Sequence, residues 1–286
     1  MPTPAQRFER EGWEFNLSST AAKFTPEMTE ELVARTLEAV RGCAGEPLRR
    51  SRHAVTYRVH LRAAETWDRR VIYIKLFDAP GGFVALKERF RGSRAVNMGR
   101  MLGELRETGF CVPSLLLLGR ERGGGRSLAV TTAAEGDSLV EIIARSGVGA
   151  VESKRALLHA LGGEVARLHR AGFIHGDLTP HNIFVGGGGR PRFIFIDHDR
   201  TRRAAALGRR RRQLRNLVQF GRFDLDGVTR TDRLRVFRAW ADALELAGRR
   251  PTMRRVLKML AARQAGIARA REKGRGHDLR TRDPMP

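Results

Sequence analysis

Apolar residues recur at helical spacing through residues 26–41, PEMTEELVARTLEAVR, and Thr25-Pro26 supplies an N-cap followed by proline at the first helical position. The period then changes to two. Residues 53–61, HAVTYRVHL, and 71–77, VIYIKLF, alternate and are rich in β-branched and aromatic side chains, which predicts a hairpin joined by the charged turn RAAETWDRR. Residues 95–110, AVNMGRMLGELRETGF, return to helical spacing and end at Gly109, after which VPSLLLLGRERGGGRSLAVTTA reads as two strands across a glycine-rich turn. These strands and their helix predict a small β-rich N-terminal lobe.

From about residue 136 the pattern becomes mainly helical. DSLVEIIARSG and SKRALLHALGGEVARLHRAG precede a short loop, IHGDLTPHNIFV at 174–185, and the strand pair NIFVGGGGRPRFIFIDHD. Three further helical stretches follow, RTRRAAALGRRRRQLRNLVQF from residue 200, RTDRLRVFRAWADALEL, and PTMRRVLKMLAARQAGIARARE. The expected organisation is an N-terminal extension with a helix (1–47), an N-lobe (48–135), a C-lobe (136–272) and a basic tail (273–286) that is expected to be disordered. The chain shows no internal repeat.

The loop changes the picture from fold to chemistry. Asp177 lies five residues before Asn182, and the strand FIFI ends in Asp197 and Asp199. Such a set suits phosphoryl transfer: one carboxylate accepts a hydroxyl proton, while an amide oxygen and a second carboxylate hold Mg²⁺ between nucleotide phosphates. Lys75, on a strand of the β-rich lobe, supplies a fixed positive charge for those phosphates. Taken singly, HGD is commonly a turn, an Asp before a helix is commonly a cap, and a strand Lys usually faces solvent. The order of strand Lys, hinge, helix, HGDLTPHN and FIFIDHD distinguishes them from chance.

Charge adds a partner class. The 286 residues carry a formal net charge of +23, which predicts an anionic partner. Arg200, Arg202, Arg203, Arg209, Arg210, Arg211, Arg212 and Arg215 crowd the segment after Asp197, and the planar guanidinium suits phosphate and carboxylate, so this cluster is expected to dock an anionic substrate or membrane. Nucleic acid is disfavoured, because no binding motif accompanies the charge and Trp13, Trp67 and Trp240 are dispersed. Cys43 and Cys111 are the only cysteines and have no zinc spacing, consistent with a reducing cytosol. The N-terminus lacks a signal-like apolar core and FCVPSLLLLG is too short to span a bilayer, so the expected location is the cytoplasm with peripheral contact at the inner membrane face.

HGDLTPHNIFV and IDHDR resemble the catalytic and metal-binding loops of the protein-kinase-like superfamily, and most closely those of the lipopolysaccharide core kinases, bacterial enzymes that phosphorylate Kdo or heptose sugars of the inner core. SRHAVTYRVHL before VIYIKLF resembles the nucleotide-covering hairpin of that group, and RRRRQLRNLVQF with VTRTDRLRVFRAW resembles its C-terminal helices; the resemblance covers about residues 48 to 245. It implies a two-lobed α+β fold and ATP and Mg²⁺ as cofactors. It implies Asp177 as catalytic base, Asn182 and Asp197 as Mg²⁺ ligands, Lys75 at the ATP phosphates, and the backbone from Ala133 to Glu135 at the adenine. The implied acceptor is inner-core lipopolysaccharide or another phosphorylated, anionic molecule, with no obligate protein partner.

Three departures qualify the match. No GxGxxG precedes Lys75, so Ser51 and backbone amides stand in at the phosphates; His198-Asp199 replaces the glycine expected after Asp197; and the motif reads His-Gly-Asp, without the arginine that senses a phosphorylated loop. The helix position expected to hold a Glu partner for Lys75 is near Asn97, with Glu88 and Glu104 as the flanking candidates. The alternatives are an atypical Ser/Thr kinase, a small-molecule phosphotransferase of the same fold, a pseudokinase, or a basic binding protein. His169 and His175 are expected in packing roles, and the glycine runs at 123–125 and 186–189 in turns rather than phosphate cradles.

Overall fold

The computed structural model describes residues 6–43, 47–51, 53–61, 71–79, 81–82, 92–145, 151–187, 190–222 and 225–272. The turn at 62–70, Glu88 and the segment 273–286 lie outside them. Two compact units divide between Ala134 and Glu135.

The first unit is built on one antiparallel sheet. Its strands are β1 (Gln6–Arg10), β2 (Trp13–Leu17), β3 (Arg49–Ser51), β4 (Ala54–His60), β5 (Val71–Phe77), β6 (Leu115–Glu121) and β7 (Ser127–Thr132), in the order β1-β2-β6-β7-β5-β4-β3. The β1-β2 hairpin was not anticipated. Its signal is brief: Glu11-Gly12 forms a two-residue turn with both φ angles positive, 50° and 78°, after which Trp13, Phe15 and Leu17 alternate inward. Charged residues dominate β1, as suits an edge strand that must not recruit another chain.

Helix α1 (Pro26–Val40) begins where expected, with the Thr25 hydroxyl accepting from the Met28 amide at 3.3 Å. Its Leu32, Val33 and Leu37 join Phe15, Ile72, Ile74 and Val130 in one apolar cluster. Helix α2 (Arg94–Glu107) brings Ala95, Met98 and Leu102 together with Phe77 and Ala129 in a second. Full burial of each large side chain contributes about 1.5–3 kcal/mol, so both faces of the sheet are anchored. Alternation along β5 places Ile72, Ile74 and Leu76 in the first cluster, which puts Lys75 on the face it shares with Phe77.

The second unit contains β8 (Asp137–Ser138), α3 (Leu139–Arg145), α4 (Val151–Arg170), β9 (Phe173–Ile174), β10 (Ile183–Gly186), β11 (Arg192–Phe195), β12 (Arg202–Arg203), α5 (Arg209–Gly221), α6 (Arg230–Ala243) and α7 (Arg249–Glu272). The short strands pair as β11-β10-β8 and β12-β9, all antiparallel. Gly136 makes the β8 pairing possible: its φ is +81°, and a Cβ there would lie 2.2 Å from the Val185 carbonyl oxygen. Helix α4 packs along α6 and α5 along α7. Lys154 of α4 meets Asp232 of α6 at 3.0 Å, and Asp232 also closes a capping box with Thr229.

One boundary differs from the sequence expectation. The stretch from residue 200 is not helical until Arg209, because β12 takes Arg202 and Arg203 into a ladder and Gly208 turns the chain at φ +75°. Among the described residues no helix is long and apolar enough to cross a membrane.

Candidate active site

Helix α4 ends at Ala171-Gly172, and β9 carries the chain into His175-Gly176-Asp177. His175 is fully buried. The Asp177 amide donates to its Nδ1 at 3.2 Å, so Nε2 carries the proton and donates to the Ile196 carbonyl at 2.9 Å. A neutral imidazole thus ties the Asp177 turn to the strand end before Asp197. Asn216 of α5 grips the same residue from the other side, its Oδ1 accepting from the His175 amide at 3.1 Å and its Nδ2 donating to the His175 carbonyl at 2.6 Å. Gln219, one turn on, donates to the Gly176 carbonyl at 3.1 Å.

Gly176 allows the turn to close. A Cβ at this position would lie 2.1 Å from the Arg200 Cβ and 2.4 Å from the Arg200 carbonyl oxygen. The chain then passes through a 3-10 turn, Pro180–Asn182, into β10. Asn182 is 3% exposed, its Nδ2 donates to the Asp177 carbonyl at 2.8 Å, and its own carbonyl accepts from the Ile196 amide at 3.0 Å. The nitrogen end of this amide is thereby occupied and the Oδ1 end is directed elsewhere.

Asp197 follows β11 in the left-handed region, φ 66° and ψ 56°, a conformation that costs most residues about 1 kcal/mol and that Asp tolerates better than most. Behind it His198 is fully buried, with Nε2 donating to the Phe195 carbonyl at 2.8 Å and Nδ1 within 3.1 Å of the Thr201 hydroxyl. The His175 and His198 rings lie 4.9 Å apart, so the two carboxylate-bearing turns share one packed core. Asn182 and Asp197 stand at the same end of the β10-β11 hairpin and offer an amide oxygen and a carboxylate, hard donors that fit Mg²⁺. No group of three or more His, Cys, Asp and Glu that could hold a metal occurs among the described residues. Mg²⁺ does not require one, since one or two carboxylates and substrate phosphates usually suffice.

The expected nucleotide residues occupy different surroundings. Lys75 pairs across the ladder with Thr56 and Ala129, and its Nζ lies 5.5 Å above the Phe77 ring. Glu104 forms a 3.9 Å ion pair with Arg100, which also donates to Asn97 at 3.0 Å. The Ser51 hydroxyl donates to the Ala54 carbonyl at 3.0 Å and closes the β3-β4 turn. Ala133 donates its amide to Val71, and Glu135 accepts from Arg192 at 3.1 Å.

The arginine cluster divides into two groups. Arg210 stacks on Trp240 at 4.9 Å, while Arg209 reaches the Ala204 carbonyl at 3.5 Å and Arg212 is half-buried. Arg200, Arg202, Arg203, Arg211 and Arg215 are exposed, Arg203 with its guanidinium 4.5 Å over the Phe173 ring. Part of the charge is therefore packed into the unit rather than presented to a partner.

Sequence reasoning missed the inward face of α5. Gln213, Asn216 and Gln219 recur every third residue among Leu214, Leu217 and Val218, and that spacing was the available signal. Gln213 donates to the His169 carbonyl at 3.3 Å. His169 links the row to the core: Trp240 Nε1 donates to its Nδ1 at 2.9 Å and its Nε2 donates to Asn216 Oδ1 at 3.2 Å. Burial pushes its pKa down to about 4; the bond to Asn216 opposes this and the Arg210 charge adds to it.

The solved structure of WaaP in complex with acyl carrier protein aligns with a TM-score of 0.56 over 91% of this chain and 98% of that one, at 22% identity, and shows that the two share a fold. No curated protein gives a significant match. The family described as lipopolysaccharide kinase (Kdo/WaaP) matches residues 85–240, more than half of the chain and inclusive of both carboxylate-bearing turns. The chain belongs to the lipopolysaccharide kinase (Kdo/WaaP) family.

Proposed function

We propose that this family member transfers the γ-phosphoryl group of ATP, with Mg²⁺, to a hydroxyl of an inner-core lipopolysaccharide sugar, Kdo or heptose. The observation that carries the reading is the placement of Asn182, bonded through its side chain to the Asp177 backbone and through its own backbone to Ile196, next to Asp197. Base and metal-ligand candidates thus adjoin in one unit. Asp177 would accept the acceptor hydroxyl's proton and orient its oxygen toward the phosphorus. Asn182 and Asp197 would hold Mg²⁺, which supplies charge neutralisation at the phosphates when bound. Lys75 would add a second positive charge there. Ser51 and the backbone after Ala133, whose own amide is occupied by Val71, would meet the remainder of the nucleotide. Positioning and electrostatics account for most of the acceleration in such a reaction.

The exposed arginines, Arg200, Arg202, Arg203, Arg211 and Arg215, fit docking on a phosphorylated glycolipid at an anionic membrane surface. WaaP was solved with acyl carrier protein, which supplies a candidate protein partner where the sequence suggested none. The test is transfer of label from γ-labelled ATP to a panel of inner-core acceptors. Asp177→Asn is expected to keep ATP binding and lose about 10³-fold in turnover. Near-normal turnover by that variant would remove Asp177 from the reaction.

A further inference from the structure

Arg222, the residue that follows α5, stands beside the proposed base without a part in moving the phosphoryl group. Its Nη2 lies 3.9 Å from Asp177 Oδ1, and the two side chains are only 10% and 14% exposed. A guanidinium stays protonated and only donates, so Arg222 cannot itself take the hydroxyl proton. Its planar fork of donors is well suited to holding an oxyanion.

Helix α7 brings a second cation toward the same end of α5. Near the start of α5, Arg210 donates to Thr252 of α7 at 3.4 Å; at its end, a Cβ on Gly221 would lie 3.9 Å from Leu260. The two helices therefore run side by side in the same direction. Arg263, three residues beyond Leu260, arrives at the Arg222 end. Burial foremost, and Arg263 in addition, disfavour the charged form of Arg222, while Asp177 acts in the opposite sense. An incoming anion would meet the little-exposed Arg222 through charge-assisted hydrogen bonds shielded from solvent, with the exposed Arg263 at the outer side of the same helix end. The exposed arginines of α5 lack that shielding and are screened by salt.

We propose that Arg222 and Arg263 form an oxyanion subsite beside Asp177 that receives an acidic group of the acceptor and so delivers a neighbouring hydroxyl to the base. The proposal rests on the phosphotransferase reading of Asp177. The shared chemistry is an oxyanion, which a sugar carboxylate or a sugar phosphate could each supply.

The experiment uses the full chain and measures acceptor affinity without ATP, then steady-state kinetics with ATP and Mg²⁺, for wild type, Arg222→Gln and Arg263→Gln. Each variant is expected to lose about tenfold or more in acceptor affinity and in acceptor KM, with the KM for ATP changed less than about twofold. Two further acceptors, one with the carboxylate reduced to an alcohol and one with the phosphate removed, identify the anion recognised. Loss of that group should weaken wild type strongly and Arg222→Gln hardly at all, the non-additivity of a direct contact. Unchanged acceptor affinity in Arg263→Gln, whose side chain is exposed and whose folding is not at risk, would overturn the subsite. So would equal losses for every acceptor in wild type and variant, which would make Arg222 a pin for the Asp177 turn. Wild type that binds acceptor but transfers no label would sink the kinase reading and leave the binding result to judge the subsite alone.

Discussion

The turn that carries Asp177 and the turn that carries Asp197 differ in where their own further support comes from. The first is gripped from a distance: Asn216 and Gln219, some forty residues later in the chain, bind the backbone of His175 and Gly176, and Asn216 is held by His169, to which Trp240 donates. The second shares that support through the bonds of Ile196 to His175 and Asn182 and adds a local device of its own, a left-handed residue with His198 bonding to Phe195 and Thr201. The turn proposed to present the base is thus fixed chiefly by contacts from a distant helix.

The contrast can be broken in three ways. The largest effect is expected where the turns interlock, at Gly176→Ala, whose added Cβ would overlap the Arg200 Cβ and carbonyl. A destabilisation of about 4 kcal/mol is expected from that overlap, and an unfolding midpoint within a degree of wild type would show that the turns move apart freely. Acid comes next. The folded-state pKa of His169 is depressed to about 4 from 6.5, so below pH 6.5 the unfolded chain binds a proton that the native state declines. Stability from this group is full above pH 6.5 and falls as pH drops toward 4, by about 3 kcal/mol in total. Protonation would set two donors facing each other at Trp240, so hydrogen exchange at the His175 amide should rise before exchange at Thr201. Simultaneous rise would erase the distinction between remote and local support. The smallest effect on stability belongs to Asp197→Asn, because Asn adopts the left-handed region as readily as Asp; a change within about 0.5 kcal/mol is expected. The Mg²⁺ concentration for half-maximal turnover should nonetheless rise about tenfold or more, and an unchanged metal titration would take Asp197 out of the ligand set.

Elements with a local cause were legible in the sequence. Thr25-Pro26 announces α1 and Gly109 ends α2, and the alternation of β4 and β5 marks strands. The β1-β2 hairpin escaped because only three inward positions carry the pattern and charged residues crowd around them. The motif residues Asp177, Asn182 and Asp197 were visible because their spacing along the chain is short. The residues that position them were not, since Asn216 and Gln219 bond to backbone atoms, which have no identity in a sequence. The arginines of α5 show the same limit: the code does not say that Arg210 covers Trp240 while Arg211 faces water.

Gly176 also bears on how such an enzyme can be governed. Typical protein kinases place at this motif position the arginine that reads a phosphorylated loop; here the volume is taken by the backbone and Cβ of Arg200. A point substitution could not install that sensor without first dislodging the segment that leads from Asp197 into β12. An arginine sensor of loop phosphorylation is thus closed to this scaffold by any single substitution at Gly176.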